Sequence, residues 1–347
     1  MDSVVAVYHP FWHFRPELDH ANIPVYLLGN RGAKDPKVVL RLIQLVRKHR
    51  FDLIHSLLRT PGLLARGVSI LDSKIKVVIS ERNTSMDHSW FMLQLERLMA
   101  GIGDAMIANA EAIRSKVTDL IPRWQGRIHV VPNGIACSDV TEEIICQAEA
   151  FRSRYISDNG QKLIGIVASL DPQKDPNLLL DALEMLPDET LSRFRAVWVG
   201  GSIDHDLKAH VHRRLESGRL KDTFYFLPPT KQIRVVYHAI DALVLPSRWE
   251  GFPNVVLEAL AEGKPVVGTD VGDVRKLIVY GKSGWIVPPE DAVKLSAAIN
   301  EMVGKDKEQL VNMGKYGADY VRKFYSSERL VRETLDVYAS VFGSTFL

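Results

Sequence analysis

The sequence predicts an α/β protein with two domains, each built on a parallel β-sheet. Strand patterns alternate with helix patterns along most of the chain, which is typical of parallel sheets joined by crossover helices. The length of 347 residues also suggests two domains. The polar and charged stretch at 138–160 interrupts the alternation, so we place the domain boundary there. We therefore predict domains at 1–136 and 137–326 and a separate C-terminal helix at 327–347.

Short apolar runs and helical periodicity define the elements of the first domain. Residues 35–49 illustrate the helices: Asp35 and Pro36 provide a start, and apolar residues then recur at helical spacing. The predicted strands are 3–8, 23–28, 51–56, 76–80, 105–109 and 127–132, and the predicted helices are 35–49, 63–71, 92–101 and 110–120.

The alternation begins again after the boundary and continues almost to the end of the chain. The predicted strands are 163–168, 195–199, 223–227, 242–245, 265–268 and 285–287. The predicted helices are 141–155, 177–185, 205–216, 233–239, 253–261, 292–302, 306–322 and 327–342.

Composition and sequence patterns argue against a membrane-spanning protein, a secreted protein and a protein stabilised by disulfides. Hydrophobic residues make up 46% of the chain and charged residues 25%, which is ordinary for a globular protein. No run of 18 apolar residues is present, and the first ten residues lack the pattern of a signal peptide. The two cysteines, Cys137 and Cys146, form neither a metal-binding spacing nor a disulfide framework. We expect a cytoplasmic protein.

Charge is distributed unevenly. Residues 1–136 carry 18 Lys and Arg against 12 Asp and Glu, a net charge of +6, whereas the rest of the chain carries −4. A basic first domain is compatible with peripheral contact at the inner face of a membrane, and equally with an ordinary solvated surface. We expect no nucleic-acid partner.

The stretch at 241–272 carries the chemistry. An apolar strand, a turn, a helix and a second strand form one βαβ unit, whose turn lies where parallel sheets bind ligands. Backbone amides at 251–255 open the helix and suit an anion, and Pro253 fits the first helical position. Glu250 and Glu258 flank the turn as acceptors for sugar hydroxyls. Two solvated glutamates at a helix end are the alternative.

The sequence SRWEGFPNVVLEALAEGKPVVGTDVG in this stretch resembles the donor-site signature of the family 4 glycosyltransferases, which have the GT-B fold. VVPNGI at 130–135 resembles the hinge motif of that family, and GIVASLDPQKDP at 165–176 resembles its second donor motif. The resemblance implies two Rossmann-like domains that face a cleft, with the acceptor on the first and the nucleotide sugar on the second. It implies that the C-terminal helices return toward the first domain.

The resemblance also implies roles for individual residues on the donor side. Lys174 would be catalytic with Glu250, because its ammonium would neutralise the leaving diphosphate; a solvated loop lysine is the alternative. Ser169 stands where many relatives carry an arginine, so one diphosphate cation is missing. The donor-binding residues are Glu258, Ser169, Gly251, Phe252, Pro253, Asn254, Val255, Leu227, Pro228, Gly200 and Gly201, of which the two glycines are equally compatible with a tight turn that binds no ligand.

The acceptor side is less specific. The resemblance places Asn83 and Arg82 there. His55 ends another strand and is a further candidate, although a lone histidine at a strand end is more often a structural hydrogen-bonding group. Asp204 and Asp206 form a D-x-D string, which binds a metal in another glycosyltransferase architecture. Here the string opens a helix, so we interpret it as a cap and expect no catalytic metal and no cofactor.

The resemblance implies a retaining, metal-independent glycosyltransferase. Its donor would be a nucleotide sugar, with a UDP-sugar first and GDP-mannose second, and its acceptor a glycan or a lipid-linked intermediate. Relatives begin with a further strand, Gly-rich loop and helix, so we expect the first domain to be truncated at its start. The alternative function is therefore a non-catalytic nucleotide-sugar-binding protein or an inactive fragment.

Overall fold

The computed structural model describes residues 3–9, 14–29, 35, 37–82, 90–157, 160–202 and 204–343. All strand pairings among these residues are parallel, so the predicted α/β class is confirmed. The strands are β1 (Val5–Val7), β2 (Val25–Leu27), β3 (Leu53–Leu57), β4 (Lys76–Glu81), β5 (Ala105–Ala108), β6 (Ile128–Val130), β7 (Lys162–Val167), β8 (Phe194–Val199), β9 (Phe224–Leu227), β10 (Ala242–Leu245), β11 (Val266–Thr269) and β12 (Gly284–Val287).

Helices connect these strands in the order that the sequence predicts. They are α1 (Arg15–His20), α2 (Lys37–His49), α3 (Arg59–Ser69), α4 (Trp90–Met99), α5 (Glu111–Leu120), α6 (Glu142–Arg152), α7 (Pro176–Glu184), α8 (Asp188–Ser192), α9 (His205–Ser217), α10 (Ile233–Ala239), α11 (Asn254–Ala261), α12 (Val274–Leu277), α13 (Ala292–Gly304), α14 (Lys307–Phe324) and α15 (Ser327–Phe342). No helix of the described residues combines the length and apolarity that crossing a bilayer requires.

The chain divides into two units. Unit 1 comprises residues 1–109, 113–131 and 333–347. Its larger sheet has the order β3-β4-β5-β6, and β1 pairs with β2 separately. The central strand β4 is fully buried from Val77 to Glu81. Burial of almost a whole strand is expected where helices cover both faces of a parallel sheet.

Unit 2 comprises residues 110–112 and 132–332. Its sheet has six strands in the order β12-β11-β10-β7-β8-β9. The strand order therefore runs outward in both directions from the neighbouring pair β7 and β10. In open α/β sheets, ligands bind beyond the carboxyl ends of the strands at such a switch point.

The differences from the predicted elements concern short helices and helix ends. The sequence analysis did not predict α1, α8 or α12, which span six, five and four residues and are too short for helical periodicity to be recognised. Helix α3 starts at Arg59 rather than at residue 63, and Pro61 lies in its first turn. Proline is tolerated there because amides of the first turn have no helical acceptor in any case.

Candidate active site

Lys174 lies beyond the carboxyl end of β7, in a 3-10 turn at Pro172–Lys174. Asp171 caps this turn, because its Oδ1 accepts a hydrogen bond from the Lys174 amide at 3.1 Å. The next residue, Asp175, has a φ of 42° and caps α7 through its side chain. The loop is thus fixed at both ends, and the Lys174 side chain leaves it from a defined position.

Glu250 lies beyond the carboxyl end of β10, the strand next to β7. Its Oε1 is 2.5 Å from the Lys174 ammonium and accepts a hydrogen bond from Ser247 Oγ at 2.8 Å. Its Oε2 accepts a hydrogen bond from Gln173 Nε2 at 3.3 Å. The two residues that the sequence analysis named as catalytic therefore meet at the switch point of the unit 2 sheet.

The ion pair between Lys174 and Glu250 has a chemical consequence. An ammonium has three donors and each carboxylate oxygen has two acceptor positions, so both groups keep some capacity for a ligand. A diphosphate bound to the ammonium would compete with Glu250 for its donors. Acceptor positions of the carboxylate would then be open to hydroxyl groups of the same ligand.

The two loops that carry this pair are bonded to each other. Arg248 Nε lies 2.6 Å from Asp175 Oδ2, and the Arg248 amide donates to the Gln173 carbonyl at 2.8 Å. Thr269 is fully buried and donates to the Ser247 carbonyl at 2.6 Å. These contacts hold the 171–175 and 246–250 loops in one arrangement.

Helix α11 begins one residue later than the sequence predicts. Asn254 is its first residue, and Pro253 is the N-cap rather than the first helical position. The Pro253 carbonyl accepts the Val256 amide at 3.1 Å, which a residue at the N-cap can do while its own φ and ψ stay outside the helical region. The amides of Asn254 and Val255 belong to the first turn and remain available to an anion.

The rest of the predicted donor turn packs against protein. The Asn254 Oδ1 accepts a hydrogen bond from Asn133 Nδ2 at 2.7 Å, and the Gly251 carbonyl accepts the Asp273 amide at 3.1 Å. Phe252 is buried, with its ring centroid 6.0 Å from that of Tyr325. The tip of α11 is consequently supported from several sides.

Glu258 lies one turn inside α11 and faces α10. Its Oε2 accepts a hydrogen bond from the Tyr237 hydroxyl at 2.7 Å. Burial raises the pKa of Glu258 above the ordinary value of 4.5, and the hydrogen bond from Tyr237 partly counteracts this rise. Burial and the nearby carboxylate together raise the pKa of Tyr237, so the tyrosine stays a hydrogen-bond donor.

Gly200 is required by the backbone around it. A Cβ atom on Gly200 would lie 1.8 Å from the Ala168 carbonyl oxygen, so no other residue fits without a shift of the chain. Its amide donates to the Leu227 carbonyl at 3.1 Å, while the Gly201 carbonyl accepts the Leu170 amide at 2.7 Å. Of the two alternatives for Gly200, this geometry favours the tight turn. Pro228 follows β9 and is exposed.

Ser169 donates its hydroxyl hydrogen to Asp171. The sequence analysis had assigned this donor to a diphosphate. Because the same hydroxyl has only one hydrogen, binding a phosphate oxygen requires that the bond to Asp171 break.

Of the three residues that the sequence analysis predicts for acceptor binding, the structure describes His55 and Arg82, whereas Asn83 lies outside the described residues. His55 Nδ1 lies 2.6 Å from the Tyr338 hydroxyl, and Nε2 lies 2.8 Å from Ser80 Oγ. Burial, and then the charge of Arg82, lower the pKa of His55 from 6.5 to about 4. With both nitrogens engaged and the ring neutral, His55 fits the structural alternative.

Asp204 caps α9, as the sequence analysis predicts: its Oδ1 accepts the Leu207 amide at 2.9 Å. Within the described part of the chain, no group of three or more His, Cys, Asp or Glu side chains could hold a metal ion.

The sequence analysis did not identify Ser247, Gln173 or Tyr237 as parts of the site. The local sequence could have indicated two of them. Ser247 precedes Glu250 by three residues in a turn, and Gln173 immediately precedes Lys174. Tyr237 had no such signal, because its contact with Glu258 depends on how α10 packs beside α11.

The fold and the site define a class of α/β protein in which a lysine and a glutamate lie beyond two neighbouring parallel strands, at the point where the strand order reverses. The family model described as Glycosyltransferase Family 4 matches residues 4–139, and the model described as Glycosyl transferases group 1 matches residues 147–320. The chain therefore belongs to the family 4 glycosyltransferases, as the motifs at 165–176 and 247–272 predict.

Solved structures agree with this assignment at the level of the fold. The chain is similar to Anabaena Alr3699/HepE, solved in complex with UDP, with a TM-score of 0.82, 20% identity, and coverage of 97% of this chain and 92% of that one. At this identity the likeness shows the fold alone, and the predicted GT-B fold is confirmed.

Curated relatives are similar over part of their length. The D-inositol 3-phosphate glycosyltransferase of Corynebacterium urealyticum is 28% identical over 254 residues, which are 71% of this chain and 59% of that protein. That of Nocardia farcinica is 29% identical over 225 residues, which are 63% of this chain and 49% of that protein. The chain thus spans about half of the length of these relatives.

Proposed function

We propose that this chain transfers a sugar from a nucleoside diphosphate donor to a glycan or lipid-linked acceptor, with retention of the anomeric configuration. One observation carries the proposal. Lys174 and Glu250 lie 2.5 Å apart beyond the carboxyl ends of β7 and β10, the neighbouring strands at which the strand order reverses. A cation and an acceptor of hydroxyl hydrogens are thereby joined at the place where such sheets bind ligands.

Each site residue has a chemical role in this proposal. The amides of Asn254 and Val255 and the Lys174 ammonium bind the diphosphate, and Lys174 neutralises the charge that develops as the bond from the sugar to the diphosphate oxygen breaks. The acceptor hydroxyl oxygen forms the new bond on the same face of the sugar, and its proton passes to the leaving diphosphate oxygen. No enzymic base is needed.

The two glutamates act on hydroxyl groups. Glu250, released from Lys174 by the diphosphate, accepts hydrogen bonds from the donor sugar. Glu258 accepts hydrogen bonds from the ribose, because it lies one turn deeper in α11 than the amides that bind phosphate. A UDP-sugar is the first choice of donor. The UDP in the Anabaena relative of the same fold supports this choice.

Titration calorimetry with UDP-glucose, GDP-mannose and free UDP, combined with an assay for release of nucleoside diphosphate, tests the proposal. We expect one donor to bind and to be slowly hydrolysed in the absence of an acceptor. Glu250→Gln should retain UDP binding but lower turnover by about 10- to 100-fold, since it removes hydrogen bonds to a charged group. Glu301→Gln, on the exposed face of α13, is the matched control.

Two outcomes would contradict the proposal. Binding of a nucleotide sugar without any release of nucleoside diphosphate would favour the alternative of a non-catalytic binding protein. Equal turnover in Glu250→Gln and Glu301→Gln would show that Glu250 does not act on the donor.

The pH dependence of donor binding tests the role of Glu258. Binding should weaken as pH falls through the raised pKa of Glu258, because a protonated carboxyl accepts fewer hydroxyl hydrogens. Tyr237→Phe removes the hydrogen bond that lowers this pKa, so the weakening should begin at a higher pH than in the parent protein. Calorimetric titration with UDP-glucose over a range of pH measures the shift. Identical pH profiles for the parent, Tyr237→Phe and Glu258→Gln would contradict the role.

A further inference from the structure

The side chain of Asn254, the first residue of α11, lies next to the backbone amides that the proposed function assigns to the diphosphate. In an α-helix every Cα–Cβ bond is tilted toward the N-terminus, so this side chain points past the tip of α11, where an anion would bind. Asn254 is exposed, and its Nδ2 has no hydrogen-bond partner among the described residues. An amide nitrogen with two hydrogens to donate therefore lies beside the anion site.

The oxygen of the Asn254 side chain is held by Asn133. Asn133 Nδ2 donates a hydrogen bond to Asn254 Oδ1 at 2.7 Å, and both residues belong to unit 2. An amide oxygen is only an acceptor, so it would repel a phosphate oxygen, which is an acceptor as well. Because the bond keeps Asn254 Oδ1 on Asn133, it determines that the nitrogen of the amide group is left for the anion.

Packing alone does not explain the presence of Asn133. The residue is 8% exposed, and its Oδ1 is buried without a partner in the described part of the chain. A buried polar atom that lacks a hydrogen bond lowers stability, so an apolar residue of similar size would suit this position better. The bond that the structure gives to the Asn133 side chain is the one to Asn254, which indicates a role that acts through Asn254.

We propose that the Asn254 side chain donates a hydrogen bond to the diphosphate and that Asn133 is the positioning residue that orients it. The inference rests on the proposed function, which places a diphosphate at the tip of α11. It adds a neutral donor to a site in which Ser169 stands in place of a second cation, because an amide bonded to a phosphate oxygen forms a charge-assisted hydrogen bond. UDP binding should depend on both asparagines, whereas uridine binding should not.

Calorimetric titration with UDP tests the role of Asn254. Asn254→Ala keeps the backbone amides of α11 and should bind UDP about tenfold or more weakly, as expected for the loss of a hydrogen bond to a charged group. Asn254→Asp replaces the nitrogen with an anionic oxygen and should weaken UDP binding further. Uridine, measured by ligand-observed NMR, should bind equally to the parent protein and to Asn254→Ala. The matched control is Asn312→Ala, an exposed asparagine of α14, which should bind UDP like the parent protein.

A double-variant cycle tests the positioning role of Asn133. Asn133→Ala should weaken UDP binding, because the freed Asn254 amide group can then turn its oxygen toward the diphosphate. In an Asn254→Ala background the same substitution should change UDP affinity by less than about twofold, since Asn133 acts through Asn254. Asn133→Asp, whose carboxylate only accepts, should draw the Asn254 nitrogen away from the diphosphate and give a larger loss. The Asn254→Ala background corrects for the added charge of this variant.

The outcomes separate this inference from the proposed function. Equal UDP affinity in the parent protein and Asn254→Ala would overturn the inference while the proposed function stands. Equal effects of Asn133→Ala in both backgrounds would overturn the positioning role of Asn133. A parent protein that binds neither UDP nor GDP would contradict the proposed function itself, and the inference with it.

Discussion

Lys174→Ala is expected to lower kcat by roughly 10²–10³-fold, which is the usual effect of removing one preorganised group that stabilises charge in a transition state. Lys174 is the cation that the structure places beyond β7, and its ammonium is fixed 2.5 Å from Glu250 by a capped turn. The residue at the position of a second cation, Ser169, is neutral. Loss of Lys174 therefore leaves the departing diphosphate with the α11 amides as the other donors that the proposal assigns to it. Single-turnover kinetics with the preferred donor measure the effect on the chemical step.

Because Lys174 and Glu250 form an ion pair, substitutions of the two residues should have non-additive effects on UDP affinity. In Lys174→Ala, Glu250 loses its cation and lies unpaired beside the bound diphosphate. UDP should consequently bind more weakly to Lys174→Ala than to the double variant Lys174→Ala, Glu250→Gln, although the double variant lacks two site residues. The control is Lys208→Ala, an exposed lysine of α9. Strictly additive losses of UDP affinity would contradict the competition between Glu250 and diphosphate, and unchanged kcat in Lys174→Ala would contradict its catalytic role.

Local sequence predicted the parts of this site, whereas their bonding followed from topology. Lys174 and Glu250 were each recognised from the loop around them, 76 residues apart in the chain. Their contact depends on β7 and β10 being neighbours, which follows from the strand order and not from either loop. The roles of Gln173 and Ser247 depend on the same neighbourhood. Gly200 illustrates the converse, because the glycine was recognised but the Ala168 carbonyl that requires it lies just beyond the end of β7.

Helix α4 shows the same limit in unit 1. The sequence predicts a helix at 92–101 but does not indicate which of its faces is buried. In the structure Trp90 and Phe91 at the start of α4 are exposed, whereas Glu96 is buried. The inner face of a helix usually carries apolar residues. A charged residue such as Glu96 can lie there only with a partner from another element, and Arg66 of α3 is that partner.

Glu96→Ala is expected to destabilise the fold by about 3–5 kcal/mol, because it leaves the charge of Arg66 buried without its carboxylate. The two side chains are only 1% and 4% exposed, with Arg66 Nη2 and Glu96 Oε2 2.6 Å apart. Arg66 Nε is held by the Gly62 carbonyl at 3.1 Å, so the guanidinium cannot easily turn toward solvent. Urea unfolding followed by circular dichroism measures the loss.

Removing both charges should lower the free energy of unfolding much less than removing one, because no charge is then left buried without a partner. Arg66→Met, Glu96→Leu replaces the pair with apolar side chains of similar size and should recover most of the stability that Glu96→Ala loses. Arg66 Nη1 and Glu96 Oε1 strengthen this expectation, since neither has a hydrogen-bond partner among the described residues, so part of the desolvation of the pair is uncompensated. The control is Asp319→Ala, whose partner Arg322 and own side chain are each 61% exposed. It should cost less than about 1 kcal/mol. A double variant as unstable as Glu96→Ala would show that the packing of α3 against α4, rather than the isolated charge, determines the loss.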